Sequence, residues 1–334
     1  MKPTVRIGVV GVGAIAQIAH LPALARLRGV KLVALCDNDG PKARALAERF
    51  DVEDVFTDIE DLLELDELDA VIISTPNHLH EPHVLSALAA KVHVLCERPL
   101  ALTSRGVERI LNAAARADRK VAVANNYRFR SDVQAVSSFL RGGELGKLFG
   151  VRAGHYQPRR AAEGWRFRRA EAGGGAFMEH GLPLLDLALW LADFPEPVRV
   201  SAHMERSRGA SAVEESLVAL VECAQGKTFT IDVSWSYVGA EERWWFDVLA
   251  TRGSAQLAPL RVVKELNGKA VDVTPRGAAT RDSVLLQSYR AEIAHFLAVV
   301  DEAASYEPPT DQVTLLRLLE AIYKSADEGK EVRL

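Results

Sequence analysis

Cysteine is scarce in this chain: three in 334 residues, at Cys36, Cys96 and Cys223, with no CxxC spacing among them. An odd number of widely separated cysteines excludes a disulfide scaffold or a thiolate zinc site and fits reduced, buried thiols. No apolar run is long enough to span a bilayer. The chain goes from Met1 almost directly into the strand-like TVRIGVV, without the successive charged, apolar and small-residue regions of a secretory leader, so the expected location is cytoplasmic. An excess of one charge is missing too. With Lys+Arg 41 against Asp+Glu 45, the net charge of −4 gives no global pull toward nucleic acid or anionic membrane, and neither is expected as a partner. The composition, 48% hydrophobic and 26% charged, is that of an ordinary soluble protein. Its length is comfortable for two domains.

The first part alternates short apolar runs (VRIGVV, KLVALCD, DAVIIST, VHVLCE, KVAVANN) with helical patterns such as PKARALAERF and ERILNAAARA. Buried β-branched strands separated by helices predict a doubly wound parallel sheet. Around Asn125 the pattern changes to longer, alternating strands. The plainest is TFTIDVSWSY, where Phe229, Ile231, Val233, Trp235 and Tyr237 alternate with polar residues, the signature of an antiparallel sheet with one covered face. Further strands are expected near 148–156, 197–205, 215–223, 243–250 and 257–265, and two amphipathic helices close the chain. The fold class is therefore α/β: a Rossmann-type domain over 1–124, then an α+β substrate and oligomerisation domain over 125–334 with an open, mainly antiparallel sheet, the last helix packing back on the first domain.

GVGAIA places Gly11, Gly13 and Ala16 as GxGxxA between the first strand and the first helix, with Ala14 and Ile15 between them. In such a motif the first glycine makes the tight turn, the second admits a pyrophosphate and the small third residue lets helix pack on strand. Asp37 ends the second strand a little over twenty residues on, where a carboxylate accepts hydrogen bonds from an adenosine ribose and repels a 2′-phosphate. NAD is the expected cofactor; Lys42 and Arg44 keep NADP open as the alternative. In STPNHLHEPHV the three histidines His78, His80 and His83 invite a metal reading, but no acidic or cysteine ligand is patterned with them, and Pro76 and Pro82 mark a turn and a helix start. No metal is expected. Thr75, Asn77 and His80 are read as polar contacts to the dinucleotide.

On GVGAIAQIAH, STPNHLH, CERPLALT, NNYRFR, ELGKLFGVRAGHY, GGGAFMEHGLPLLDLALWL and EAIYKSADEGKEVRL, in that order, the chain resembles the Gfo/Idh/MocA family of NAD(P)-dependent oxidoreductases along essentially its whole length. The resemblance implies hydride transfer between nicotinamide and a carbon bearing oxygen on a sugar, cyclitol or related compound. It also implies a homo-dimer or homo-tetramer joined through the C-terminal sheet. It adds Glu97 and Asn125 to the cofactor residues and Tyr127, Trp165, Arg166 and Asp186 to the substrate residues.

Three positions depart from the family pattern. Where Glu-Lys-Pro is usual, the chain has Glu97-Arg98-Pro99. Where an aspartate and, four residues later, a histidine are usual, it has Glu179 and Pro183. An arginine stays protonated and cannot serve as a base, but it can hold an alkoxide. Pro183 carries no proton and favours a kink that would decide where His180 points. Arg98, Glu179 and His180 are thus the candidate catalytic residues. Arg159, Arg160, Arg166, Arg168 and Arg169 around Trp165 suggest either an anionic substrate or a solvated basic loop. A non-catalytic dinucleotide or ligand sensor of the same fold is the alternative function.

Overall fold

The computed structural model describes residues 4–159, 164–206, 213–275 and 283–334. The chain divides into two units, Met1–Phe129 with Arg281–Val313, and Arg130–Thr280 with Thr314–Leu334. This differs from one cut after residue 124. The element that returns to the first unit is the helix Val284–Val300, whose Ile293, Phe296 and Leu297 join the same core as Val5, Ile7, Leu35 and Leu46. The final helix, Asp311–Glu328, belongs to the second unit from Thr314 onward.

In the first unit β1 (Val5–Val10), β2 (Val30–Cys36), β3 (Asp54–Phe56), β4 (Ala70–Ile73), β5 (His93–Glu97) and β6 (Val121–Ala124) form a sheet in the order β3-β2-β1-β4-β5-β6. All its pairings are parallel. Helices on both faces bury the β-branched runs completely, as at Ile7, Val9, Ile72 and Val94. Because the strands run one way, the residues that follow β1, β2, β4 and β5 gather at one edge, where such sheets bind ligands. Cys36 and Cys96 are buried in this sheet and Cys223 in the second unit. Burial pushes the Cys36 and Cys223 thiols up to about 12, so neither is a nucleophile at neutral pH.

The second unit is built on β7 (Leu148–Pro158), β8 (Pro197–Glu205), β9 (Ser216–Cys223), β10 (Thr228–Tyr237), β11 (Arg243–Ala250), β12 (Gly253–Leu257), β13 (Leu260–Leu266), β14 (Lys269–Asp272) and β15 (Val332–Arg333). Their order is β14-β13-β12-β11-β7-β10-β9-β8-β15. Only the central β7–β10 pair is parallel among the described ladders. The TFTIDVSWSY alternation is β10, with Phe229, Ile231 and Val233 fully buried. The strand expected over 257–265 is β13, which begins only after Ala258-Pro259 because proline has no N–H to continue a ladder, and β12 before it has no counterpart among the expected strands.

Two helices begin with a wide π-turn, at Ala16–His20 and Phe177–Gly181. Each is followed, one residue on, by a proline, Pro22 and Pro183. Proline cannot donate to the carbonyl four residues back and its ring crowds that carbonyl. The preceding residue's N–H reaches one residue further instead, from Leu21 to Ala16 O and from Leu182 to Phe177 O. The kink expected at Pro183 is this π-turn, and Pro22 makes a second one. Pro82, by contrast, does not start a helix: it lies inside Asn77–Ala89, which begins directly after Pro76.

Candidate functional site

At the end of β1 the GxGxxA turn is held from below. Gly11 N–H donates to Cys36 O (2.8 Å), Ser74 Oγ donates to Gly11 O (2.7 Å), and the Asp37 carboxylate accepts the Val12 N–H (2.8 Å). Gly11 has φ +85°, and a Cβ there would lie 2.7 Å from the Ser74 carbonyl oxygen, so only glycine makes this turn. Gly13 differs: a Cβ on it would meet no heavy atom within 4 Å. That open space, over a partly exposed Gly13–Ile15 strip with Ala14 outermost, leaves room for a pyrophosphate to meet backbone. Ala16 is fully buried against the sheet, as a close helix crossing requires. The residues therefore fit a dinucleotide. Asp37 also accepts the Asp39 N–H (2.9 Å) and pairs with Lys42 Nζ (2.9 Å), so Lys42 sits on the carboxylate expected to read the ribose.

The segment after β4 is more structural than its sequence suggests. His80 is buried, with Nδ1 2.7 Å from Pro99 O and Nε2 2.8 Å from Thr75 O. It ties the turn after β4 to the turn after β5 and offers no free nitrogen to a cofactor, a departure from the expected polar contact. Burial pushes its imidazole below the usual range. Thr75 Oγ1 lies 3.2 Å from His83 Nδ1, and the buried Asn77 opens the helix. Among the described residues no group of three or more His, Cys, Asp or Glu is placed to hold a metal ion.

Glu97 and Arg98 follow β5. Glu97 is buried; its Oε1 lies 2.9 Å from Nε2 of His20, and its Oε2 accepts from Arg98 N–H (3.3 Å) and guanidinium Nη1 (3.5 Å). Burial pushes this carboxyl up, but the His20 hydrogen bond and charge, with Arg98 behind them, outweigh it and leave it below the usual range. Burial, then the Glu97 charge, push the Tyr289 phenol well above its ordinary value. Its ring meets His20 edge-on at 5.1 Å. Asn125 is buried at the end of β6, and Tyr127 is partly buried in the short turn Asn126–Phe129.

In the second unit the triple glycine feeds the π-turn that carries Glu179 and His180. Glu214, 2% exposed, accepts the N–H groups of Gly175 (2.8 Å) and Phe177 (2.9 Å) and the Tyr323 hydroxyl (2.9 Å). Its burial outweighs these bonds and pushes the carboxyl up. A Cβ on Gly174 or Gly175 would stand 2.0 Å from Tyr323 Oη or Glu214 O, so both positions need glycine. The π-turn separates the two candidates that follow. Glu179 reaches outward to Arg166 Nε (3.1 Å), whose guanidinium also covers the Trp165 ring at 4.5 Å. His180 faces the sheet, 4.1 Å from the His155 ring on β7 and 6.4 Å edge-on from Trp235 on β10. His155 Nε2 in turn lies 2.5 Å from Glu242. Asp186, on Leu182–Leu191, is 2% exposed.

Three of the four described arginines of the basic segment have carboxylate partners: Arg166 with Glu179, Arg168 with Glu171 and Arg169 with Asp327. Arg160 lies outside the described residues. His20, His155, Glu214 and Glu242 had no sequence signal beyond their types, and Tyr289 showed only as part of the apolar face of its helix.

Residues 5–125 match the family described as "Oxidoreductase family, NAD-binding Rossmann fold", and residues 133–256 match the "GFO/IDH/MocA C-terminal domain". The chain is 27% identical over 351 residues to D-glucoside 3-dehydrogenase of Escherichia coli (strain K12), covering 98% of this chain and 97% of that protein. It is 27% identical to inositol 2-dehydrogenase of Acidothermus cellulolyticus (strain ATCC 43068 / DSM 8971 / 11B), over 90% of this chain and 85% of the other. The solved structure of GenD2 from gentamicin A biosynthesis, in complex with NAD, superposes with a TM-score of 0.86 at 25% identity, covering 99% of this chain and 97% of that one. With both family domains matched in order over the two units described above, the chain belongs to the Gfo/Idh/MocA family of NAD-dependent oxidoreductases.

Proposed function

We propose that the chain oxidises a secondary hydroxyl of a neutral, polyhydroxylated small molecule, a sugar or cyclitol, with NAD as hydride acceptor. The observation that carries this reading is the shared strand edge of the first unit, where the open Gly13 turn, Asp37 and the Glu97–Arg98 pair follow adjacent parallel strands. The relatives named above, one acting on a glucoside and one on inositol by name, support the substrate class. Gly11, Gly13, Ala14, Ile15 and Asp37 hold the cofactor, with Thr75, Asn77, Glu97 and Asn125 at the neighbouring strand ends. When bound, the nicotinamide accepts the hydride that leaves carbon. Within the first unit Arg98 is assigned the holding of an oxygen that gains anionic character, and within the second unit His180 is assigned the role of proton acceptor. Glu179 is the weaker proton acceptor because Arg166 already occupies its carboxylate.

The paired arginines near Trp165 favour a neutral over an anionic substrate, and Trp165, Tyr127 and Asp186 remain its assigned contacts. A second copy of the chain is expected on the sheet face that exposes Val218 and Leu220, and the cytoplasm is the expected location; among the described residues no helix is long and apolar enough to cross a membrane. The test is turnover of purified protein with NAD+ on neutral sugars, cyclitols and uronates, followed as NADH absorbance. Turnover of neutral polyols is expected. Tight NADH binding with no turnover of any of them would establish the sensor alternative instead.

A further inference from the structure

His20 is the fully buried residue that the cofactor motif does not explain. It closes the first π-turn, four residues after Ala16, and is fully buried. An ordinary α-turn would carry residue 20 about 100° per residue around the helix; the wider turn forced by Pro22 changes that direction. Its Nε2 lies 2.9 Å from Glu97 Oε1, while Nδ1 has no hydrogen-bond partner among the described residues. A carboxylate only accepts, so Nε2 carries the proton and donates.

Glu97 uses its other oxygen on Arg98, through both the backbone N–H and the guanidinium. One carboxylate thus joins a buried histidine to the half-buried cation that follows it. The Tyr289 ring packs edge-on against His20, and its hydroxyl hydrogen-bonds Glu97 as a second anchor of the carboxylate. A carboxylate anchored on one oxygen has little rotational freedom, and the guanidinium bound to the other inherits that restriction.

We propose that His20 is a positioning residue for Arg98, acting through Glu97. The inference rests on the reading of Arg98 as the oxyanion donor. Its role is orientation alone: His20 touches neither substrate nor cofactor, and no proton moves through it.

The test is a kinetic double-variant cycle on the full-length enzyme. Arg98→Ala measures the Arg98 role by itself. His20→Ala should lower kcat on the order of 10²-fold, as a misplaced catalytic group does, and leave the KM for substrate within a few-fold. Added to Arg98→Ala, it should cost almost nothing more, because its effect passes through the missing guanidinium. His20→Gln presents an amide N–H near the position of Nε2 and should retain most of kcat, whereas the shorter His20→Asn should not. Thermal melts of each variant identify loss of fold, and the Gln and Asn pair carries the test if His20→Ala does not fold. Equal kcat for Gln, Asn and the parent, or full additivity of His20→Ala with Arg98→Ala, would overturn the proposal. No loss in Arg98→Ala alone would overturn the underlying reading of Arg98 instead.

Discussion

The imidazoles of His180 and His155 stand 4.1 Å apart with their planes tilted by 56°, while Glu179, one residue before His180, turns the other way to Arg166. The two adjacent candidates for proton transfer therefore have opposite environments. His180 lies against the sheet beside aromatic rings; Glu179 sits in an outward ion pair.

His180→Ala is expected to lower kcat about 10²- to 10⁴-fold, the range for loss of a general base, and Glu179→Gln to lower it by much less. Steady-state kinetics on the best neutral polyol checks this. A larger loss in Glu179→Gln would exchange the two roles.

Asp37 has a structural duty besides the ribose reading proposed for it. Asp37→Ala should weaken NADH binding and also lower the melting temperature, since the Val12 and Asp39 N–H groups lose their acceptor at about 1–3 kcal/mol for each that stays buried. Lys42→Ala should leave stability nearly unchanged and sharpen the preference for NADH over NADPH, because the cation now beside the carboxylate is the group best placed to tolerate a 2′-phosphate. Fluorescence titration with both reduced cofactors separates these outcomes. NADPH affinity unchanged in Lys42→Ala would remove Lys42 from cofactor choice.

Much of the fold was legible because its causes are local. Runs of β-branched residues separated by helical periods gave the parallel sheet, and period-two alternation gave β10 to the residue. The site was legible only in its backbone chemistry. GxGxxA and Asp37 work through turn geometry that the sequence itself encodes. Side-chain partners depend on long-range placement: Glu214 finds the Gly175 and Phe177 N–H groups from 39 and 37 residues away. His20 and Glu97 meet across 77 residues. The π-turns stand between these cases. Each follows from one proline, yet a kink expected from Pro183 did not say which of Glu179 and His180 it would turn inward.

Glu214 makes a pH-dependent stability difference. Burial raises its carboxyl above the ordinary glutamate value, so the folded state binds its proton more tightly than the unfolded chain does. The stability it contributes is complete below the ordinary glutamate range and is lost as pH rises through the raised folded value. Glu214→Gln cannot titrate and should lose this slope, so the gap in melting temperature between parent and variant should narrow as pH rises from about 4 to 7. A constant gap over that window would show that the group titrates alike in both states. Glu214→Ala should destabilise at every pH, because two buried backbone donors and Tyr323 lose their acceptor.

Arg98 gives the sharpest test of how this chain departs from the family pattern. As a fixed cation, it should contribute about 2–4 kcal/mol of transition-state stabilisation, the scale of one oxyanion donor, and Arg98→Ala should show that loss in kcat/KM. Arg98→Lys restores the usual family residue but replaces the planar guanidinium that now bonds Glu97 with a single ammonium group. Because Pro183 leaves no histidine at the position that accompanies lysine elsewhere, Arg98→Lys alone should lower activity. Pro183→His should also undo the crowding that widens the preceding turn, so the double variant alters where His180 points as well as adding a base. If Arg98 serves a working reaction, the double variant stays below the parent. Activity in the double variant above that of the parent would show instead that the arginine marks a reaction the chain has lost.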